Sequence, residues 1–504
     1  MKHLLLAILL TTGVLHGANT LLDAFRQGDN QQLTTLLSRK VNVNLAEADG
    51  MTALHYAVFK DNTEAALMLL GAKADPVVKN AYGITPLWLA CQNGNAKLVR
   101  ALLEAGADAE DQQTGGQTVL MTASRSGSLD AVKALVGKGA DVDATESRGQ
   151  TAVMWASAEG HADVVAWLIE QGADFRTPLR GGFTPLFFAI REGRFDVLKV
   201  LLAAGVDVNE AMKPERRAGR GPQSGMTPLL MAVENGHFEM AIHLVKAGAN
   251  PNDLGAGYAA LHAISWVRKP DSGEGVNGQP PPDGSGNLTS LDFVRQIVAL
   301  GADVNLPLER GSGGRGKFNQ KGATPFMMAA KTADLELLQL LHELGADPNI
   351  RTIDEVTPII VAAGLGTEAA GEVAGTEEEV LETVGWLIDI GQDVNAVDVH
   401  GETAMHSAAY KNLPKVVEYL VERGADLNVW NQRNEYGWTP LLIAEGFRPG
   451  NFKPSFETID AIHKVMLASG VTPPPLTPAN GVNNSDFGPA NRKYDDKDLW
   501  KVKQ

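Results

Sequence analysis

Hydrophobic and polar positions along this chain repeat in a fixed register. A short apolar phrase recurs as TALHYA at 52–57, TPLWLA at 85–90, TVLMTA at 118–123, TAVMWA at 151–156 and TPLFFA at 184–189, each 33 residues after the last. A second apolar stretch follows each phrase at helical spacing, as with Val132, Leu135 and Val136 in AVKALVG. Residues three and four apart share one helix face, so this stripe is expected to bury against a neighbour. A glycine then closes the stretch, at Gly106, Gly139, Gly172, Gly205, Gly248, Gly301, Gly345 and Gly424, followed by Ala-Asp or a near relative. The pattern predicts two helices per period, the second ended by a left-handed glycine cap.

The residue types inside the phrase solve problems of a helix start. Thr52, Thr85, Thr184, Thr227, Thr324, Thr357 and Thr439 stand where an N-cap hydroxyl is wanted. Proline follows in Pro86, Pro185, Pro228, Pro325, Pro358 and Pro440, at the position where its missing N–H costs nothing. Alanine closes the phrase, where two helices approach closely. This pattern resembles the ankyrin-repeat family over nearly the whole chain. Repeats are led by Thr52, Thr85, Thr118, Thr151, Thr184, Thr227, Ala259, Thr324, Thr357, Thr403 and Thr439, with 21–44 as a polar-faced N-terminal cap. The resemblance implies an all-α ankyrin-repeat solenoid over 18–470, built of helix-turn-helix repeats with hairpin fingers.

Departures from the family pattern are consistent in direction. The family's histidine stands at His55, His262 and His406, where the resemblance implies side-chain-to-backbone hydrogen bonds. Elsewhere that position holds Trp88, Met121, Met154, Phe187, Leu230, Met327, Ile360 or Leu442, which predicts apolar packing instead. The repeat led by Ala259 lacks the threonine, the proline and the closing alanine, and is expected to kink or pack loosely.

The period breaks at four insertions. Those at 210–224 and 307–321 follow second helices and fall on the fingers that the resemblance places along one edge of the concave face. They are basic, with Lys213, Arg216, Arg217 and Arg220 in the first and Arg310, Arg315, Lys317 and Lys321 in the second. Removing 211–222 and 308–320 is expected to leave helix content and melting almost unchanged. The insertion at 267–287 is rich in Gly and Pro and is expected to be mobile. The one at 364–380 ends in Thr376 and Glu379, spaced as a capping box for the next helix.

Composition changes the picture in three places. Across 504 residues the formal net charge is −16, so the two basic insertions contrast with an acidic body and point to a protein partner with an acidic patch. That balance argues against a nucleic-acid partner. Residues 1–17 carry Lys2, an apolar run over 4–14 and small residues after it, which reads as a signal peptide too short to anchor stably in a membrane. Export to a bacterial periplasm or the exterior is the expectation. The single cysteine, Cys91, is expected to be buried and inert, and residues 471–504 to form an extended tail without a repeat phrase.

Candidate chemistry is sparse. Residues 311–317 fit the glycine and lysine spacing of a phosphate-binding loop, but Phe318 follows where a Ser or Thr would meet magnesium. The histidines show no zinc spacing. No catalytic residue, metal or cofactor is assigned. Binding is the expected role, and the repeat register implies positions for it: Phe59, Phe183, Met226, Tyr258, Trp266, Tyr410 and Trp438 as exposed anchors, with Arg216, Arg217, Arg220, Arg315 and Lys317 on the basic fingers. The expected molecule is a monomeric protein-binding scaffold or regulator. The alternatives are a secreted effector with a foreign partner, or an enzyme with its site in the inserted loops.

Overall fold

The computed structural model describes residues 21–23, 30–39, 41–215, 224–270, 282–314, 316–371, 373–448 and 453–475. The signal segment, the tail from 476 and most of the 267–287 insertion lie outside the described residues. Two compact units are present, Met1–Leu179 with Phe183–Gly205, and Arg180–Gly182 with Val206–Gln504. Among the described residues there are helices and two isolated bridges, Ala46 with Thr52 and Gln112 with Thr118, but no strand.

Each of the eleven lead positions starts a helix. In the first unit these first helices are Ala53–Phe59, Pro86–Asn93, Val119–Ser126, Ala152–Glu159 and Pro185–Arg191; their second helices are Thr63–Gly71, Ala96–Glu104, Leu129–Val136, Ala162–Glu170 and Phe195–Ala203. Ahead of them Asn30–Ser38 buries Leu33 and Leu36 and leaves Thr34 and Thr35 exposed, as a terminal cap should. In the second unit the first helices are Pro228–Glu234, Ala260–Arg268, Pro325–Lys331, Pro358–Ala362, Ala404–Lys411 and Pro440–Ala444. Their second helices are Phe238–Lys246, Ser290–Ala299, Leu335–Glu343, Glu377–Asp389, Pro414–Glu422 and Phe456–Ala468.

The expected stripe is the core. Val132 and Leu135 are fully buried and Val136 half so, and the C-terminal glycines take positive φ, +104° at Gly106 and +96° at Gly424. The threonines all begin their helices in extended backbone, but the hydroxyl cap is uneven. Thr85, Thr227 and Thr324 accept from the N–H three residues on at 3.1, 3.2 and 3.4 Å. Thr151, Thr184 and Thr357 make no such bond. Of the three, only the Thr324 cap lies beyond the ordinary N–H···O range.

Neighbouring repeats are also tied by a polar ladder that the apolar phrases do not reveal. Where an asparagine stands two residues beyond the Gly-X-Asp turn, its Oδ1 can accept from the backbone N–H of the next turn, as Asn209 from Asn250, Asn305 from Asp347 and Asn395 from Asp426, at 2.7–2.8 Å. Its Nδ2 donates to the glycine carbonyl of that same turn, as Asn209 to Gly248 at 3.0 Å and Asn252 to Gly301 at 2.9 Å. These turns therefore present their polar backbone to a fixed partner.

Where histidine holds the fourth position of the phrase, it joins repeats. His55 Nε2 pairs with the Ile84 carbonyl at 3.0 Å, His262 with Leu306 at 3.0 Å and His406 with Gln432 at 3.2 Å. Met121, Met154, Phe187, Leu230, Met327, Ile360 and Leu442 are buried at the same position and pack instead. Only Trp88 of this group stays half-exposed.

The Ala259 repeat differs from the looseness expected of it. Its first helix, Ala260–Arg268, runs nine residues against seven for the preceding Pro228–Glu234. Ala259 has no hydroxyl to cap the helix, and the His262 N–H goes to the Ala259 carbonyl at 3.0 Å instead. The Ala259 N–H donates to His262 Nδ1 at 3.3 Å, as the Thr52 N–H does to His55. The helix end is then fastened by Arg268 and Lys269, which reach Asp334 and Glu379.

Candidate functional site

First-helix residues just beyond the closing alanines, and the residue before each threonine, form the face on which binding was expected. In the first unit Phe59 is 49% exposed, with the Lys60 ammonium 5.5 Å from its ring centre. Phe183 is half-buried, 5.1 Å from Phe188, and the Arg191 guanidinium lies 5.1 and 5.3 Å from these two rings. Arg125 sits 5.1 Å over Trp155 and donates to Glu159 at 3.1 Å. Cations held over ring faces are oriented before any partner arrives.

Trp155 and Arg125 were not singled out from the sequence, although the signal was readable. Trp155 is the fifth residue of TAVMWA and Arg125 follows the alanine of TVLMTA. The indole N–H groups of Trp88 and Trp155 have no hydrogen-bond partner among the described residues.

In the second unit the anchors divide. Tyr258 and Trp266 are half-buried and meet edge-on at 5.0 Å, with the Tyr258 hydroxyl bonded to Glu234. Burial pushes the Glu234 carboxyl up, while the tyrosine bond opposes that shift. Met226, Tyr410 and Trp438 are not exposed anchors but buried side chains. Met226 is drawn in because its carbonyl closes a hairpin with the Met212 N–H at 2.8 Å. Tyr410 is covered by Asn434 and by the inserted residue Gly316, and Trp438 packs against the Tyr436 ring at 5.5 Å.

The basic fingers also differ from expectation. Arg216, Arg217, Arg220 and Arg315 lie outside the described residues. Lys317 does not point to a free tip, because its ammonium pairs with Glu368 at 2.7 Å. Leu308 and Phe318 are buried, so removing 308–320 strips apolar cover from the second unit and is not the neutral deletion expected. No helix directly follows 311–317 and Phe318 is buried, so the phosphate-loop spacing there has none of its required setting.

A polar cluster sits under this insertion. Glu402 is 1% exposed; its Oε1 accepts from the Tyr410 hydroxyl at 2.9 Å and from Asn434 Nδ2 at 2.8 Å, and its Oε2 has no partner among the described residues. Burial, with Asp398 nearby, pushes the Glu402 carboxyl up to about 8. His400 is bracketed by Glu435 at 2.5 Å and Asp354 at 3.4 Å. Burial opposes its charge, but these carboxylates and Asp398 raise its pKa overall.

A separate cleft of about 590 Å³ is lined by Lys269, Ala374, Gly375, Thr376, Glu379 and Lys411 among others. Its charges are already answered from within, Lys269 by Glu379 at 2.7 Å and Lys411 by the Ala374 carbonyl. Thr376 and Glu379 form the expected capping box. Cys91 is fully buried and burial pushes its thiol up, so it stays protonated. Among the described residues no group of three His, Cys, Asp or Glu side chains is placed to hold a metal, and no helix is long and apolar enough to cross a membrane.

Family models described as ankyrin repeats match 62–146, 120–212 and 373–449 in one form, 21–70 and 189–245 in a second, and 316–362 in a third. The chain belongs to the ankyrin-repeat family. Among its relatives, neurogenic locus notch homolog protein 1 of Xenopus tropicalis is 34% identical over 155 residues, which is 30% of this chain and 5% of that protein. Ankyrin repeat and SOCS box protein 6 of Homo sapiens is 28% identical over 149 residues, 27% of this chain and 32% of its own. Alpha-latroinsectotoxin-Lt1a of Latrodectus tredecimguttatus is 32% identical over 114 residues, 22% of this chain and 7% of the toxin. The chain thus spans under a third of the length of each. A solved human ASB11 ankyrin repeat domain aligns at 26% identity with a TM-score of 0.40, covering 46% of this chain and 100% of that one.

Ankyrin repeats keep a constant frame and vary the face, and this ankyrin chain follows that division. Its frame positions are buried alanine, leucine and valine. Its first-helix face holds the aromatic and cationic pairs in the first unit and, in the second, the ground on which Gly316 and Phe318 lie.

Proposed function

We propose that this ankyrin chain is a protein-binding scaffold, and that the first-helix face of its first unit is a working surface. The observation that carries the proposal is the pair of stacks Arg125–Trp155 and Arg191–Phe183–Phe188. Aromatic and arginine side chains are the usual anchors of protein interfaces. Holding them by stacking lowers the entropy that a partner's arrival would otherwise remove. Exposed Phe59 extends the same register to the first repeat.

The partner side of this reading is a protein surface. An acidic patch on it would suit Arg125 and Arg191 of that face. Export is proposed on the charged and apolar pattern of 1–17 alone.

The test is capture with the full chain from residue 18, identification of the retained protein, and titration of that protein against variants. Phe183→Ala combined with Arg191→Glu is expected to weaken binding by at least about 30-fold, the equivalent of one hot-spot residue at about 2 kcal/mol. Affinity unchanged in a variant of unaltered helicity would overturn the assignment of this face.

A further inference from the structure

The 307–321 insertion behaves as a ligand of its own molecule. Its base is closed by Leu308 N–H to the Ala323 carbonyl at 2.9 Å and Gly322 N–H to the Leu308 carbonyl at 2.7 Å. From there the segment crosses three successive repeats. Asn319 Nδ2 donates to Asp354 at 3.0 Å and Lys317 pairs with Glu368 at 2.7 Å, both ahead of the Thr403 phrase. Phe318 packs on Gly366, where an added Cβ would stand 3.0 Å from the phenylalanine. Gly316 lies on the Tyr410 ring, and the Gly314 carbonyl accepts from the Tyr436 hydroxyl at 3.3 Å, 122 residues away in sequence.

These contacts describe a recognition pattern. Gly316 has φ +61° and an added Cβ would lie 3.1 Å from Tyr410, so the position over the ring admits only glycine easily. The next residue is a cation against a carboxylate and the one after it an aromatic ring that becomes buried. The ground beneath is acidic, with Asp354, Glu368, Asp398 and Glu435, and the inserted segment supplies Arg310, Lys317 and Lys321.

We propose that this face of the Thr357, Thr403 and Thr439 repeats is a groove for an extended, basic, glycine-containing peptide, and that residues 311–314 and 316–319 are its built-in occupant. A partner carrying a Gly-Lys-aromatic segment exchanges with it. Exchange is feasible because the polar fastenings are few, namely an ion pair with both side chains about half exposed, of a kind worth about 0–1 kcal/mol, the Asn319–Asp354 bond and one long hydroxyl bond. The buried Phe318 ring is a hold that the aromatic side chain of a partner segment can replace. The tether nevertheless holds the occupant at an effective concentration on the order of millimolar, so the intact chain screens out weak ligands. The proposal rests on the scaffold reading, but it uses different repeats from the Phe183 and Arg125 face.

The probe is a fluorescent peptide of residues 309–321, titrated by anisotropy against three full-length proteins: the intact chain, Gly316→Val, and a chain with 311–318 replaced by a short Ser-Gly link. Gly316→Val leaves the chain length unchanged and forces the segment off the ring, so it decides the matter if the linked chain folds poorly. Peptide is expected to bind the opened proteins at least tenfold more tightly than the intact one, and to lose that gain when Glu368→Lys is added. A peptide of scrambled order is expected to bind neither. On the intact chain, excess peptide should speed tryptic cleavage after Lys317 as the occupant is displaced. Equal binding by all three proteins, equal binding of the scrambled peptide, or no binding to Gly316→Val together with no change in cleavage would overturn the proposal. Phe183→Ala should leave peptide binding unchanged, so failure here and failure of the first-unit assignment are separable.

Discussion

Arg268 grips Asp334 with two nitrogens, Nε to Oδ2 at 2.6 Å and Nη2 to Oδ1 at 3.1 Å, across 66 residues of sequence. Asp334 is buried and its Oδ1 also caps the helix Leu335–Glu343 through the Leu337 N–H at 3.2 Å. Arg268 Nη1 reaches the Ser290 hydroxyl as well. This pair fastens the repeat with the weakest phrase to the one that follows it.

Arg268→Ala leaves the Asp334 carboxylate buried and short of its main partner. The expected cost is about 3–5 kcal/mol, the usual figure when one member of a buried pair is removed. Urea unfolding followed by circular dichroism reads it as a lower midpoint or a separate early transition, since a repeat array can lose cooperativity. A shift below about 1 kcal/mol would mean that the pair is screened like a surface bridge.

His262 and His406 are held neutral by burial, which pushes each pKa down to about 4, and His55 is lowered for the same first reason. A folded pKa below the unfolded one means that stability is complete above the ordinary histidine value of 6.5 and is lost as pH falls from there towards about 4. Replacing His406 by Met, the residue that stands at this position in the Thr324 repeat, should reduce the slope of stability against pH in that window. An unchanged slope would place the acid sensitivity elsewhere.

Glu402 should act in the opposite direction. Its carboxyl is raised from 4.5 to about 8, so the folded chain holds the proton more tightly than the unfolded chain does. Its contribution is therefore most favourable at low pH and is lost as pH rises through that interval. Glu402→Gln keeps the acceptor for Tyr410 and Asn434 and cannot ionise. Thermal midpoints of the variant should gain on the parent between pH 5 and pH 8; equal midpoints across that range would show that Glu402 ionises normally.

Gly127 and Gly106 both have positive φ, +77° and +104°, yet only one is crowded. A Cβ on Gly127 would stand 2.4 Å from the His161 ring, which is itself bonded to the Arg125 carbonyl at 3.0 Å, whereas nothing lies within 4 Å of such an atom on Gly106. Gly127→Ala should cost more than Gly106→Ala by about 1 kcal/mol, the worth of the displaced hydrogen bond. The excess should vanish in a His161→Ala background, and denaturant midpoints of the four proteins test this as a cycle.

The frame of this protein is legible because each repeat solves the same local problem. Thr52, Pro86, Ala123 and Gly139 act through neighbours only a few residues away, so their spacing alone announces two helices and a turn. Stacking adds contacts between adjacent repeats, which the period also sets. Even the fourth-position histidines and their apolar replacements follow from that register.

Contacts outside the stacking register obey no period. Met226, Tyr410 and Trp438 occupy register positions that face outward in a regular array, and they are buried because a hairpin and an insertion cover them. Lys317 looks like one of several free cations until the chain brings Glu368 to it, and nothing local links Gly314 to Tyr436 or Arg268 to Asp334. By itself the sequence determined the repeats and their helices, since those depend on short-range sterics and caps. Only the tertiary structure decided which faces stay open, because that depends on where a long insertion finds compensating charge and apolar cover far along the chain.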